Sequence, residues 1–281
     1  MGIFDRCLLA ADADETLISN GTIPQRNKDK IKFFEQSGGT FMLATGRLPC
    51  GMDAVLSQLE DLGLSLCCNG GLAYNFKTGE ALFESTMAWE DYASFLKAYE
   101  LFPDTPILCE YRELAYIPNP NDYAYEHIAY EGLKWEPITE EKLLKQKLNK
   151  TVYLCQSVEL CDKIKEAISP FAPFSEFTMS SLTIDTEKRY VLEQMPKGVS
   201  KATGVLELAK ALNIKKGSIF AIGDYFNDLD MLKAADISAA TYGAPDELKQ
   251  VATVTVGTAK DGAVADFIDY LYEKVNKHGN F

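Results

Sequence analysis

Short apolar runs that stop abruptly in polar or glycine residues constrain this chain most. Residues 7–11 run into Asp12-Ala13-Asp14, residues 40–44 into Thr45-Gly46-Arg47, and residues 65–68 into Asn69-Gly70-Gly71. Runs this short and this apolar read as strands buried on both faces, as in parallel sheets covered by helices. Helix signals lie between them. Residues 25–36 carry Ile31, Phe33 and Phe34, start behind Pro24 and stop at Gly38-Gly39. A second helix is expected over 52–62, with Val55, Leu59 and Leu62 at helical spacing. This alternation predicts an α/β fold built on a doubly wound parallel sheet.

The pattern changes after residue 71. Lys77-Thr78-Gly79 reads as a hairpin turn. From Trp89 to about Thr186 helices (90–101, 158–168) mix with aromatic-rich strands (107–111, 150–156, 182–186), and none of these strands ends in a reactive cluster. The segment reads as an inserted α+β domain. The strand–helix alternation then returns: a helix over 200–212, a strand over 218–222 ending in Gly223-Asp224, a helix over 229–235, a strand over 237–240 and a closing helix over 263–275.

Four polar groups therefore stand at strand ends or helix starts in the two flanking halves: Asp12/Asp14, Thr45-Gly46, Lys201, and Asp224 with Asn227-Asp228. A doubly wound sheet brings such groups to one edge. Their chemistry is complementary. A carboxylate at Asp12 can attack phosphorus, and Asp14, two residues on, can move protons. Thr45 offers a hydroxyl and Gly46 an approachable amide. Lys201 is a compact cation for a phosphate. Asp224 and Asp228 add oxygens for Mg²⁺, and Asn227 adds an amide donor. Taken singly, each group has a plainer reading as a turn, a cap or a solvated side chain.

Charge and cysteine usage bound the partners. A net charge of −13 argues against nucleic acid or an acidic membrane surface. It also requires a divalent cation and local lysines if the substrate is a phosphate ester. Seven cysteines, an odd number with no C-x-x-C pair, and only two histidines, His127 and His278, read as reduced thiols in a cytoplasmic protein and not as a zinc site. No leader and no membrane-spanning run are expected.

These residues carry a resemblance. Asp12-Ala13-Asp14-Glu15-Thr16-Leu17, Thr45-Gly46-Arg47, Lys201 within Gly198-Val199-Ser200-Lys201, and Gly223-Asp224-Tyr225-Phe226-Asn227-Asp228 resemble the four motifs of haloacid dehalogenase (HAD) superfamily phosphatases, in the Cof-type subfamily with a type IIB cap. Asn69-Gly70 and Asp261-Gly262-Ala263-Val264 resemble two further subfamily features. The resemblance implies a Rossmann-like catalytic core of residues 1–82 and 188–281, with an inserted cap of residues 83–187 that selects the substrate and excludes water. It implies Mg²⁺-dependent hydrolysis of small phosphate monoesters, such as sugar phosphates or phosphorylated cofactors, through a phospho-aspartyl intermediate. The catalytic set is then Asp12, Asp14 and Lys201, and the metal set Asp12, Asp14, Asp224 and Asp228. The phosphate set is Ala13, Thr45, Gly46, Lys201 and Asn227, with Arg47 and Asn69 as substrate contacts. A phosphomutase, or a phospho-acceptor module without turnover, uses similar residues. The expected partner is a small phosphorylated metabolite, and the expected state a monomer or weak homodimer. One departure stands out: Glu15 occupies a position where the subfamily usually has glycine.

Overall fold

A computed structural model describes residues 2–59, 61–184 and 186–278. The chain forms two compact units. The first comprises the chain up to Gly46, Ala54–Leu82, and Ser200 onward; the second comprises Arg47–Asp53 and Phe83–Val199.

The first leg begins with β1 (Leu8–Ala11), buried at all four positions, then α1 (Gln25–Gln36) and β2 (Thr40–Leu43). The helix expected over 52–62 is a single turn, α2 (Asp53–Leu56), preceded by a 3₁₀ turn at Pro49–Met52. The Gln58 side chain explains the early stop. It donates to Gly21 O (2.9 Å) and accepts from Ile23 N (2.8 Å), tying the chain to the loop after β1. Then follow β3 (Leu64–Cys67), β4 (Leu72–Asn75) and β5 (Glu80–Glu84), the last two joined by the expected hairpin turn.

The middle leg carries α3 (Tyr92–Leu101), β6 (Ile107–Tyr111), β7 (Leu114–Ile117), α4 (Asp122–Glu131), β8 (Trp135–Pro137), α5 (Glu140–Leu143), β9 (Lys150–Cys155), α6 (Val158–Ile168), β10 (Ser175–Ile184) and β11 (Glu187–Pro196). Its sheet is six-stranded, in the order β10-β11-β9-β6-β7-β8. Where a short strand is expected over 182–186, β10 and β11 instead form one long antiparallel hairpin, pairing Ser175 with Pro196 through to Ile184 with Glu187. Serines and threonines along β10 break the apolar run that would have announced it. Successive residues of a strand face opposite sides. Cys109, Tyr153, Cys155 and Leu192 thus join Phe95, Cys161 and Ile164 of the helices in one apolar core.

The last leg restores the first sheet: α7 (Lys201–Ala211), β12 (Ile219–Gly223), α8 (Leu229–Ala234), β13 (Ile237–Ala240), α9 (Asp246–Val251), β14 (Val254–Thr255) and α10 (Ala263–His278). The order β14-β13-β12-β1-β2 is parallel throughout. The chain leaves β1 toward β2 on one side and later builds outward from β12 on the other. The switch point lies between β1 and β12, and ligand crevices of open α/β sheets lie outside the carboxyl ends of the strands there. Asp12 follows β1, and Asp224 follows β12. No described helix is long and apolar enough to cross a membrane.

Candidate active site

Each group at this edge is fixed by its local chain. After β1 the backbone folds into a closed turn: Leu17 N and Ile18 N both donate to Ala13 O (3.0 and 2.9 Å), and Glu15 N donates to Ile18 O (2.9 Å). Asp12 is 8% exposed and Ala13 is fully buried, whereas Asp14 is half-buried. Thr16, wholly buried, donates its hydroxyl to Asp224 Oδ1 at 3.0 Å, so the first loop also positions the carboxylate after β12.

Lys201 opens α7. Ser200 caps that helix, its side chain accepting from Thr203 N. The turn at Cys68–Gly70 packs directly on this start. A Cβ on Gly70, whose φ is +92°, would lie 2.2 Å from Ser200 O, so only glycine allows the approach. The lysine side chain is completely buried. Its Nζ lies 2.5 Å from Asp12 Oδ1 and 2.7 Å from Asp228 Oδ1. Asp228 Oδ2 accepts from Asp224 N (2.9 Å) and Tyr225 N (3.2 Å). A Cβ on Gly223 would fall 2.4 Å from Asp228 Cγ, so glycine at the end of β12 is what lets this carboxylate tuck beneath the loop.

Asp12, Asp224 and Asp228 each offer an oxygen within 4.8 Å of the others. Burial pushes the Asp12 carboxyl up to about 7; Lys201 offsets part of this, and Asp228 and Asp14 add to it. Burial, then Asp12 and Asp228, also push the Asp224 carboxyl up. Burial alone would push the Lys201 ammonium down, but its two carboxylate partners hold it above the ordinary lysine value. The cluster is thus short of positive charge, and hard oxygen donors with unmet charge suit a divalent cation such as Mg²⁺. Asp12 and Asp224 are the side chains suited to hold it. Asp228 already directs its oxygens to Lys201 and two amides and serves to position them.

The remaining sequence-derived residues separate into two groups. Thr45 is buried, and its carbonyl accepts from Asn69 N (2.9 Å). A Cβ on Gly46 would lie 3.3 Å from Asn69 Oδ1, and Asn227 Nδ2 donates to the same oxygen at 3.4 Å. Asn69 is only 1% exposed, and the structure places it as a brace joining the second and fourth motifs. Arg47 belongs to the second unit, where its guanidinium donates to Gly51 O (3.0 Å) and lies over the Tyr130 ring. Sequence reasoning assigned no role to Thr16, although its place two residues beyond Asp14 was visible.

Residues 9–268 match the family of haloacid dehalogenase-like hydrolases. Among curated proteins, the chain is 27% identical over 287 residues to a 5-amino-6-(5-phospho-D-ribitylamino)uracil phosphatase of Bacillus subtilis, covering 94% of this chain and 97% of that one. Among solved structures, a HAD subclass IIB sugar phosphatase superimposes with a TM-score of 0.82 at 18% identity, covering 95% and 99% of the two chains. A Thermotoga maritima protein superimposes at 0.75 with 18% identity, covering 94% and 97%. At these identities the structural likeness concerns the fold.

Proposed function

The chain belongs to the haloacid dehalogenase-like hydrolases and is a phosphoric monoester hydrolase; from that premise we propose that it works through Asp12 as a covalent nucleophile, with a small phosphorylated metabolite as substrate. The observation that carries this reading is the buried Lys201, held between Asp12 and Asp228 at the carboxyl ends of β1 and β12. Asp12 forms a bond to phosphorus as the bond to the leaving oxygen breaks, giving an acyl phosphate. Asp14 gives that oxygen its proton. It then takes a proton from the water that attacks phosphorus and frees Asp12. Lys201 stays an ammonium and stabilises charge on the phosphoryl oxygens, with Thr45, the Gly46 amide and Asn227 completing the cradle. Mg²⁺ bound by Asp12, Asp224 and the Asp14 carbonyl would neutralise charge on the phosphate and keep Asp12 ionised. Asn69 and Asp228 act as positioning residues. The substrate-specificity domain is the second unit, which takes in the expected residues 83–187 and continues through β11 to Val199 because β11 pairs within its sheet, and the ribitylamino-uracil ester named for the Bacillus relative joins sugar phosphates as a candidate substrate.

The test is phosphate release from a panel of metabolite monoesters, with Mg²⁺ and with EDTA. Release that needs Mg²⁺ and disappears in Asp12→Asn is expected. Release undiminished in Asp12→Asn would sink the nucleophile assignment. Transfer to a sugar hydroxyl that depends on a bisphosphate activator would mark a mutase instead.

A further inference from the structure

Glu15 stands between two residues of the site, and its backbone N–H helps close the first loop, yet its side chain takes part in none of the site's bonds. Asp14 precedes it, and Thr16, bonded to Asp224, follows it. Its backbone is left-handed, with φ +55°. Glutamate gains nothing from that conformation, which favours glycine or asparagine, and non-glycine residues held there cluster at functional sites. Its carboxylate has no hydrogen-bond or ion-pair partner among the described residues, and the side chain is exposed. The charged group that faces it is Asp14. A strained backbone, a charge next to like charge and no compensating side-chain bond together leave glutamate at this position without a structural reason.

Resting on the phosphatase reading above, we infer that Glu15 is a specificity-determining residue. Its carboxylate makes an acidic rim that favours phosphate esters with a neutral or cationic leaving group and disfavours those whose leaving group carries a carboxylate or a second phosphate. Asp14, as proton donor, must touch the leaving oxygen. Adjacent Cα atoms lie about 3.8 Å apart, so the Glu15 charge falls within roughly one Debye length of whatever that oxygen carries. At that range, near a surface, one unit charge changes the rate for a charged partner by on the order of fivefold.

Three small esters share the reacting group and differ in leaving-group charge: phosphoethanolamine, ethylene glycol monophosphate and phosphoglycolate. We expect kcat/KM of the wild type with Mg²⁺ at low salt to fall in that order. Glu15→Gln should raise phosphoglycolate on the order of fivefold, lower phosphoethanolamine by a similar factor and leave the neutral ester within about twofold. An ester that turns over too slowly to follow is read as a competitive inhibitor of 4-nitrophenyl phosphate hydrolysis, with Ki in the same order. Three esters moving together, or none moving, overturns the inference while the phosphatase reading stands. No release from the aryl ester or any of the three, by folded wild type with Mg²⁺, overturns that reading and the inference with it.

Discussion

Both units of this molecule bury a lysine between two carboxylates, and they do so at different places in their folds. In the first, Lys201 lies 2.5 Å from Asp12 and 2.7 Å from Asp228. In the second, Lys150 lies 2.5 Å from Glu193 and 3.3 Å from Glu110, with all three side chains at most 5% exposed. By burial and pairing alone the two are hard to tell apart. Position separates them. Asp12 and Asp228 stand just beyond strands of a parallel sheet at its switch point, beside Asp224 and the half-buried Asp14. Glu110, Lys150 and Glu193 sit within β6, β9 and β11, on the sheet face opposite the apolar core, with Lys150 directly across from Glu110. On the proposed mechanism, the ion pair that serves chemistry is the one at an edge with further donors converging on it. Within a sheet such a pair fixes register, at some cost in desolvation.

Removal of either lysine should have the largest effect, and a different one in each unit. Lys201→Met should lower phosphate release by roughly a thousandfold, because charge on the transferring group loses its fixed cation. Lys150→Met should instead destabilise the second unit by about 3–5 kcal/mol, since two buried carboxylates lose their partner. Turnover by the remaining folded protein should stay within about tenfold of wild type. Steady-state kinetics alongside urea unfolding reads both. A collapse of kcat in Lys150→Met without loss of stability would show that the second cluster is catalytic too.

How each cluster registers in the sequence follows the same division. Asp12, Asp224 and Lys201 stand where the chain changes from strand to loop or from loop to helix, and apolar runs, glycines and caps announce those changes locally. Glu110, Lys150 and Glu193 occupy alternate strand positions whose meeting depends on register between strands distant in sequence, with Lys150 and Glu193 43 residues apart. No local pattern encodes that pairing. The β10–β11 hairpin was partly hidden for a related reason, as its polar alternation resembles loop until the partner strand is known. The single-turn α2 is shorter than its apolar spacing predicts because Val55, Leu59 and Leu62 continue that spacing past the point where Gln58 turns aside to the first loop.

Metal separates the clusters next. A ligand that binds only the folded state, present at a hundred times its Kd, adds about 2.7 kcal/mol. Mg²⁺ should therefore raise the melting temperature of the wild type. The rise should shrink in Asp224→Asn and persist in Glu110→Gln. An equal Mg²⁺ response in wild type and Asp224→Asn would argue that the cation sits elsewhere.

Acidity gives a finer contrast within the second cluster. Burial pushes the Glu110 carboxyl up to about 7; Lys150 offsets part of that, and Glu131 and Glu193 add to it. The folded state thus holds a proton that the unfolded chain, with the ordinary value of 4.5, releases. This contribution to stability is complete below the unfolded value and is lost as pH rises through about 7. Glu110→Gln cannot titrate. Its stability relative to wild type should therefore improve between about pH 4.5 and pH 8, by about 1–3 kcal/mol. Paired urea titrations across that range isolate the difference, since carboxylates elsewhere cancel. A difference that stays constant with pH would mean Glu110 remains ionised throughout.

The smallest effect concerns backbone strain, which also distinguishes the two sites. Around the first, Glu15, Cys68 and Asn69 all have φ between +50° and +55°. In the second, the left-handed residues Arg112 and Thr186 lie in the turns that follow β6 and precede β11, and none of the three ionic residues is itself left-handed. Glu15→Gly relieves a left-handed side chain but returns freedom to the unfolded chain, so the net gain should be small, up to about 1 kcal/mol. Glu15→Gln keeps the strain and removes only the charge. Comparing the two variants divides the residue's effects. A stability gain confined to glycine, together with a substrate preference altered alike in both, is the outcome expected if strain is retained there for the sake of the carboxylate. A gain in Glu15→Gln as large as in Glu15→Gly would assign the penalty to repulsion from Asp14 and not to the backbone.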